Sequence, residues 1–377
     1  MIRLAVVAAF LAVISYLLYR RLIRATGIPR PWSTVATTAL IVLWASAVVG
    51  IGAGDVFETS WSRPAGFVGW VWLAAVLYLV LGITAIGAVS WLWHRARRTE
   101  PVDPSRRNVL RASSAALVIA AVGAAAYGVG EAARPQVVHV QVPLERLPDG
   151  FVGTRIALVT DLHVGPARGE SFTREVVDLV NAQNPDLVAL SGDLVDGTVA
   201  KIAPDLEPLG DLHAPLGVFG VSGNHEFYAD DGGRWLDVWD TLGIRTLRNE
   251  RVALSREGSV IDVAGVHDYS SEDPYRPDLP AALVDRDPSR FVLLLAHQPK
   301  QAPEAGELGV DLQVSGHTHG GQMWPLGYLV PLQQPSVTGL DTFGDAVLYT
   351  SRGVGTWGPP VRVATPPEIT ILELVRP

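Results

Sequence analysis

Hydrophobic positions are spread unevenly along this 377-residue chain. Before residue 134 they gather into four nearly unbroken runs, at roughly 4–19, 35–53, 66–93 and 113–130. A helix needs about 20 apolar residues to cross a bilayer, with a lower limit near 17. The second and third runs are long enough, and the first and last lie near that limit. None carries the polar stripe of a helix that buries only one face in a soluble core. The pattern predicts a membrane region over residues 1–134, with about four transmembrane helices.

Beyond residue 135 the pattern changes to short apolar segments alternating with amphipathic ones. RIALVTD is followed by a helical stretch at roughly 171–182 and by LVALSGD; a second helical stretch at roughly 203–212 precedes GVFGVSGNHE. VIDVAGVHD, RFVLLLAHQP, VDLQVSGHTHGG and AVLYTSRG repeat the same plan, an apolar strand running into a polar cluster. This predicts an α/β layered domain over residues 135–377, with ligands bound beyond the carboxyl ends of its strands. The stretch at roughly 328–343, rich in Pro, Gly and Gln, predicts loops over those ends.

Charge sharpens this division. Residues 1–134 hold 13 arginines against five acidic residues, a net charge of +8; the remainder holds 17 basic and 33 acidic residues, a net charge of −16. So acidic a domain is a poor partner for nucleic acid, which needs basic surface. The arginines cluster after the first run (Arg20, Arg21, Arg24, Arg30) and after the third (Arg95, Arg97, Arg98, Arg106, Arg107, Arg111), whereas the connector between the second and third has Asp55, Glu58 and Arg63. Basic connectors stay in the cytoplasm. Counting crossings from them predicts a multi-pass cell-membrane protein whose second domain lies outside the cytoplasm. SRRNVLR, Ser105 to Arg111, resembles a twin-arginine export signal, with Val109 where an aromatic is usual and Arg111 in place of lysine. A pair of ordinary stop-transfer arginines is the other reading, and cleavage after the fourth run stays open. The chain has no cysteine, which excludes thiolate metal sites and a cysteine nucleophile.

The polar clusters at the strand ends share one chemistry. TDLH supplies Asp161 and His163, SGDLVD supplies Asp193 and Asp196, and SGNHE supplies Asn224, His225 and Glu226. LAHQP supplies His297, and GHTH supplies His317 and His319, which point to one face if the segment is extended. Imidazole and carboxylate together suit borderline divalent metals.

The order DxH, GDxxD, GNHE, a lone His and GHxH resembles the calcineurin-like metallophosphoesterase superfamily; the GHTHGGQ form is similar to its membrane-linked bacterial subgroup. The resemblance spans roughly residues 140–377. It implies a layered αββα sandwich with two divalent ions, Mn, Fe or Zn. Asp161, His163 and His319 would bind one ion and Asn224, His297 and His317 the other, with Asp193 bridging. It further implies attack on phosphorus by a hydroxide shared between the ions, with His225 contacting the phosphoryl group or protonating the leaving group. Asp196 and Glu226 are expected to orient ligands. His267 and Arg352 could each face substrate or serve the structure, and His139 and His213 are expected on the surface.

The expected function is a membrane-anchored phosphoesterase acting on a phosphorylated substrate, with a diester favoured and a lipid-linked or cell-wall-derived compound suggested by closeness to the bilayer. The alternative is a sensor or transport component whose phosphoesterase-like domain only binds a phosphorylated ligand. Its apolar runs lack the interior acidic residues that an ion pathway would usually supply. The orientation is testable: a C-terminal reporter active only in the cytoplasm should stay silent in the full-length protein, and a strong signal would reverse the assignment.

Overall fold

The computed structural model describes residues 1–96 and 106–377, so Ser105, which opens the twin-arginine-like stretch, lies outside the described residues. The chain divides into two compact units, residues 1–130 with 358–361, and residues 131–357 with 362–377.

The first unit is helical: α1 (Ile2–Leu18), α2 (Arg30–Ile51), α3 (Thr59–Ala96) and α4 (Arg106–Ala132). One π-helical segment, Tyr19–Arg24, continues α1. All four helices are long and apolar enough to cross a membrane. They run past the apolar stretches that predict them, because hydropathy marks the part suited to hydrocarbon and not where backbone hydrogen bonding stops. Small residues set the crossing of α2 and α3: a Cβ on Gly66 would lie 2.3 Å from the Cα of Gly50. Close approach through such residues is how apolar helices gain contact without a hydrophobic driving force between them. At the end of the π segment, Arg111 donates to the carbonyls of Thr26 and Gly27, both at 2.8 Å.

The second unit follows in the order β1 (Gln136–Pro143), β2 (Arg155–Val159), α5 (Glu170–Asn181), β3 (Leu187–Ser191), α6 (Val199–Ile202), β4 (Val218–Val221), α7 (Gly232–Thr241), β5 (Arg245–Thr246), β6 (Glu250–Arg256) and β7 (Ser259–Gly265). It continues with α8 (Leu279–Ala282), β8 (Phe291–Leu295), α9 (Ala302–Glu307), β9 (Leu312–Ser315), β10 (Gly339–Phe343), β11 (Ala346–Thr350) and β12 (Glu368–Val375). The strands make two six-stranded mixed sheets, ordered β1-β12-β2-β3-β4-β5 and β10-β11-β9-β8-β7-β6. Within them β2, β3 and β4 are parallel, as are β7, β8, β9 and β11, so each set ends at one edge of its sheet.

Alternation along the strands builds the layers. Ile156 and Leu158 of β2 join Phe291, Leu293 and Leu295 of β8 in a core between the sheets. Ala157 and Val159 face the other way, against Phe172 and Val176 of α5 and Trp235 and Trp239 of α7. Val292 and Leu294 likewise pack on Leu279 and Ala282 of α8 and Ala305 of α9. Strands buried on both faces read as continuous apolar runs. The result is the αββα sandwich expected from the sequence.

Two segments differ from the sequence reading. The second helical stretch is a short α6 followed by a 3-10 segment, Ala203–Asp211, with Pro204 and Pro208 removing backbone donors. The loop region holds a 3-10 segment, Leu326–Leu332, and the edge strand β10, which pairs with β11 across a tight turn at Gly344. Strand β10 is largely exposed, so backbone pairing forms it without a hydrophobic pattern to announce it.

Candidate metal centre

The predicted site residues leave the carboxyl ends of five strands: the ligands Asp161 and His163 after β2, Asp193 after β3, Asn224 after β4, His297 after β8, and His317 and His319 after β9, with the catalytic candidate His225 next to Asn224. Turning these side chains inward needs unusual backbone. Asp161, His163, Asp193, His317 and His319 all have positive φ, between 48° and 71°. Such left-handed conformations cost a non-glycine residue roughly 1–3 kcal/mol each and persist only where the surroundings enforce them. Neighbouring glycines permit the approach. A Cβ on Gly223 would lie 2.2 Å from Oδ1 of Asp193, and one on Gly316 would lie 2.2 Å from Oδ2 of Asp161.

Three groups of donor atoms result, each with all atoms within 4.8 Å of one another: Asp161, His163 and His319; Asp193, His297 and His317; and His163, Asp193 and His225. Nε2 of His163 lies 3.0 Å from Nε2 of His319, and Nε2 of His297 lies 3.3 Å from Nδ1 of His317. Hydrogen bonds on the far side of the rings set their orientation. Nδ1 of His163 is 3.1 Å from Oδ1 of Asp196, and Nδ1 of His297 is 2.7 Å from the carbonyl of Ser191. With those nitrogens donating, both rings present an Nε2 lone pair inward, the tautomer that metal ligation requires. Asn224 donates through Nδ2 to the hydroxyl of Tyr228, while its buried Oδ1 has no hydrogen-bond partner. Converging lone pairs, buried carboxylates and an orphaned amide oxygen fit divalent ions, and the clustered groups suit a dinuclear site.

Crowding also sets the electrostatics of these side chains. Burial pushes the Asp161 carboxyl up, opposed by the His297 charge. Burial also opposes ionisation of Asp193, yet His297 and His225 hold its carboxyl well below the usual range. His297 is held well above an ordinary histidine, since Asp193 overcomes burial. His317 is pushed down to about 3 by burial and by His297, and His319 well down by burial and by His163. Burial would depress His225 as well, but Asp193 and Asp196 hold it up, to about 9.

The supporting residues are placed as orienting groups. Asp196 accepts from Nδ1 of His163 and from Nδ1 of His225, joining the two rings. Glu226 accepts from the backbone N–H groups of Gly223, Asp193 and Leu194, at 2.6, 3.1 and 2.8 Å, and ties the β3 and β4 turns together. Burial and Asp193 push its pKa up to about 7. Arg352 is tied to Glu368, which its Nε and a terminal nitrogen meet at 2.6 and 2.5 Å. His267 is buried, with its ring 5.5 Å from that of Tyr275 and burial lowering its pKa to about 4. His139 and His213 are exposed.

One residue escaped the sequence reading. Arg362 is wholly buried, donates to the carbonyls of Gly355, Arg352 and Gly353 at 2.7, 2.8 and 3.0 Å, and lies 3.2 Å from Nδ1 of His319. Its only trace is a charged residue inside the apolar run VRV.

Comparison with known proteins places the chain in a family. Residues 154–321 match the family model for calcineurin-like phosphoesterase. A transmembrane protein with metallophosphoesterase domain from Danio rerio is 34% identical over 80% of this chain and 74% of its own length. An uncharacterized metallophosphoesterase of Helicobacter pylori is 38% identical over 64% of this chain and 65% of that protein, and one of Bacillus subtilis is 30% identical over 72% and 97%. The chain belongs to the calcineurin-like phosphoesterase family.

Elemental analysis gives a direct check. The full chain purified in detergent should carry close to two divalent ions, and Asp193→Ala should lose more metal than substitution of any other candidate ligand. One ion in a fully active protein would overturn the dinuclear reading.

Proposed function

We propose that this protein is a membrane-anchored, two-metal phosphoesterase that hydrolyses a phosphate ester, a diester by preference, in a domain outside the cytoplasm. One observation carries the two-metal reading. Oδ2 of Asp193 lies 3.8 Å from Nε2 of His163 and 3.1 Å from Nε2 of His297, so one carboxylate oxygen stands between the two donor groups. Asp161, His163 and His319 would hold one ion, Asn224, His297 and His317 the other, with Asp193 shared. A shared anion lowers the repulsion between two close cations. The His, Asp and Asn set suits Mn, Fe or Zn. When bound, such a pair supplies Lewis-acid stabilisation of phosphoryl charge and acidifies water.

The chain's own residues do the rest. His225 is fixed by Asp196 at Nδ1, which leaves Nε2 facing the centre, 4.0 Å from Oδ2 of Asp193. From there it can donate a proton to the leaving oxygen as water adds to phosphorus and the P–O ester bond breaks. Tyr228 packs tilted against His225, with ring centroids 4.6 Å apart and planes at 52°, and helps to fix the imidazole.

His225→Ala should keep both ions and slow turnover of an alkyl ester by about 10²- to 10⁴-fold, the usual scale of general acid catalysis. A p-nitrophenyl ester, whose leaving group hardly needs a proton, should lose far less. Equal slowing of both would remove the proton-donor role, and loss of metal would make His225 a structural residue.

A further inference from the structure

Exposed apolar side chains stand on the segments that adjoin the ligand turns, although the chemistry at the centre is polar. Tyr228, Trp324, Tyr328, Leu329, Leu332 and Trp357 are each 57% to 80% exposed. Tyr228 follows the turn that carries Asn224 and His225, and Trp324 follows the turn that carries His319. The ring of Trp357 lies 6.4 Å from that of His225, and its backbone exchanges hydrogen bonds with the side chain of Gln322 at 2.8 and 2.9 Å. The 3-10 segment Leu326–Leu332 rests on the turn that carries His319: a Cβ on Gly321 would lie 2.2 Å from the backbone of Gly327. Exposed apolar clusters of this kind mark interaction sites.

A small ionic phosphate ester gains nothing from such a cluster, whereas a hydrocarbon chain leaving the phosphate does. Two further observations select a lipid as its occupant. Trp and Tyr among leucines is the composition of segments that sit at a membrane surface. Three residues separate Ala132, the last of α4, from Gln136, the first of β1, so the domain follows directly in the chain on a helix long enough to cross a bilayer. We propose that the substrate is an amphiphilic phosphoester, a membrane lipid whose phosphate enters the metal centre while its hydrocarbon lies along Trp324, Tyr328, Leu329 and Leu332. This rests on the phosphoesterase reading and adds the substrate class to it.

The test compares ethyl and octyl p-nitrophenyl phosphate, diesters with one leaving group, on the full chain in lipid nanodiscs. The octyl ester should have a kcat/KM at least ~10-fold higher, well below what six fully buried methylenes would give. Leu329→Ser with Leu332→Ser should bring that ratio to within about 2-fold while leaving the ethyl ester unchanged. Partition into the nanodisc is common to both proteins and cancels in the comparison. Equal rates in the wild type would overturn the proposal, as would a ratio that survives the substitutions or a variant that loses both activities alike. Light scattering adds one more arm: a dimer that becomes monomeric in the variant, with the ratio unchanged, would assign the cluster to self-association. If neither ester is cleaved, the hydrolase reading fails separately. Calorimetric binding of octylphosphonate against ethylphosphonate on the same samples then decides the role of the cluster alone, with equal binding refuting it.

Discussion

The carboxylate of Asp193 is the contact on which the rest of the centre depends. Its Oδ1 accepts from the backbone N–H of His225 at 2.8 Å, and its Oδ2 faces an imidazole from each sheet. To stand there it needs a left-handed backbone, a neighbour without a Cβ at Gly223, and a backbone N–H held by Glu226. The two sheets therefore meet in two ways: through apolar side chains along their length, and through ionisable groups at one edge. The first meeting is indifferent to detail as long as volume is filled. The second tolerates little, because buried charges without partners are costly.

Much of this was legible in the sequence. A strand buried on both faces is a continuous apolar run, and RIALV, LVALS and FVLLL gave three of the central strands directly. The ligands were legible because few residue types hold divalent metals, and five such clusters followed five apolar runs. Arg362 was not, since nothing in VRV says that its guanidinium will turn back onto the carbonyls of the preceding loop and reach His319. Strand β10 was missed for the opposite reason: it buries little, so no pattern of apolar residues was needed to specify it. Arg352 left two readings open, and its pairing with Glu368, sixteen residues on, was not legible in TSRG.

The polar centre and its apolar surround are products of the same turns. Gly321 lets the His319 turn and the Leu326–Leu332 segment lie in contact, so the residues that place an imidazole also place the exposed leucines. A side chain at Gly321 or Gly327 would for that reason couple ligand geometry to access, whereas changes confined to the exposed leucine side chains leave that backbone contact in place.

Strand β12 lies between β1 and β2, parallel to the first and antiparallel to the second. It is also made after every turn that carries a candidate ligand. During synthesis, then, β2 emerges with its aspartate and histidine long before its neighbour exists, and the first sheet stays split until the segment beginning at Glu368 has left the ribosome. Glu368 itself anchors Arg352. The sheet that carries Asp161, Asp193 and Asn224 is thus completed by a strand made after all of its ligands, so β2 must hold its turn in place before its β12 neighbour arrives.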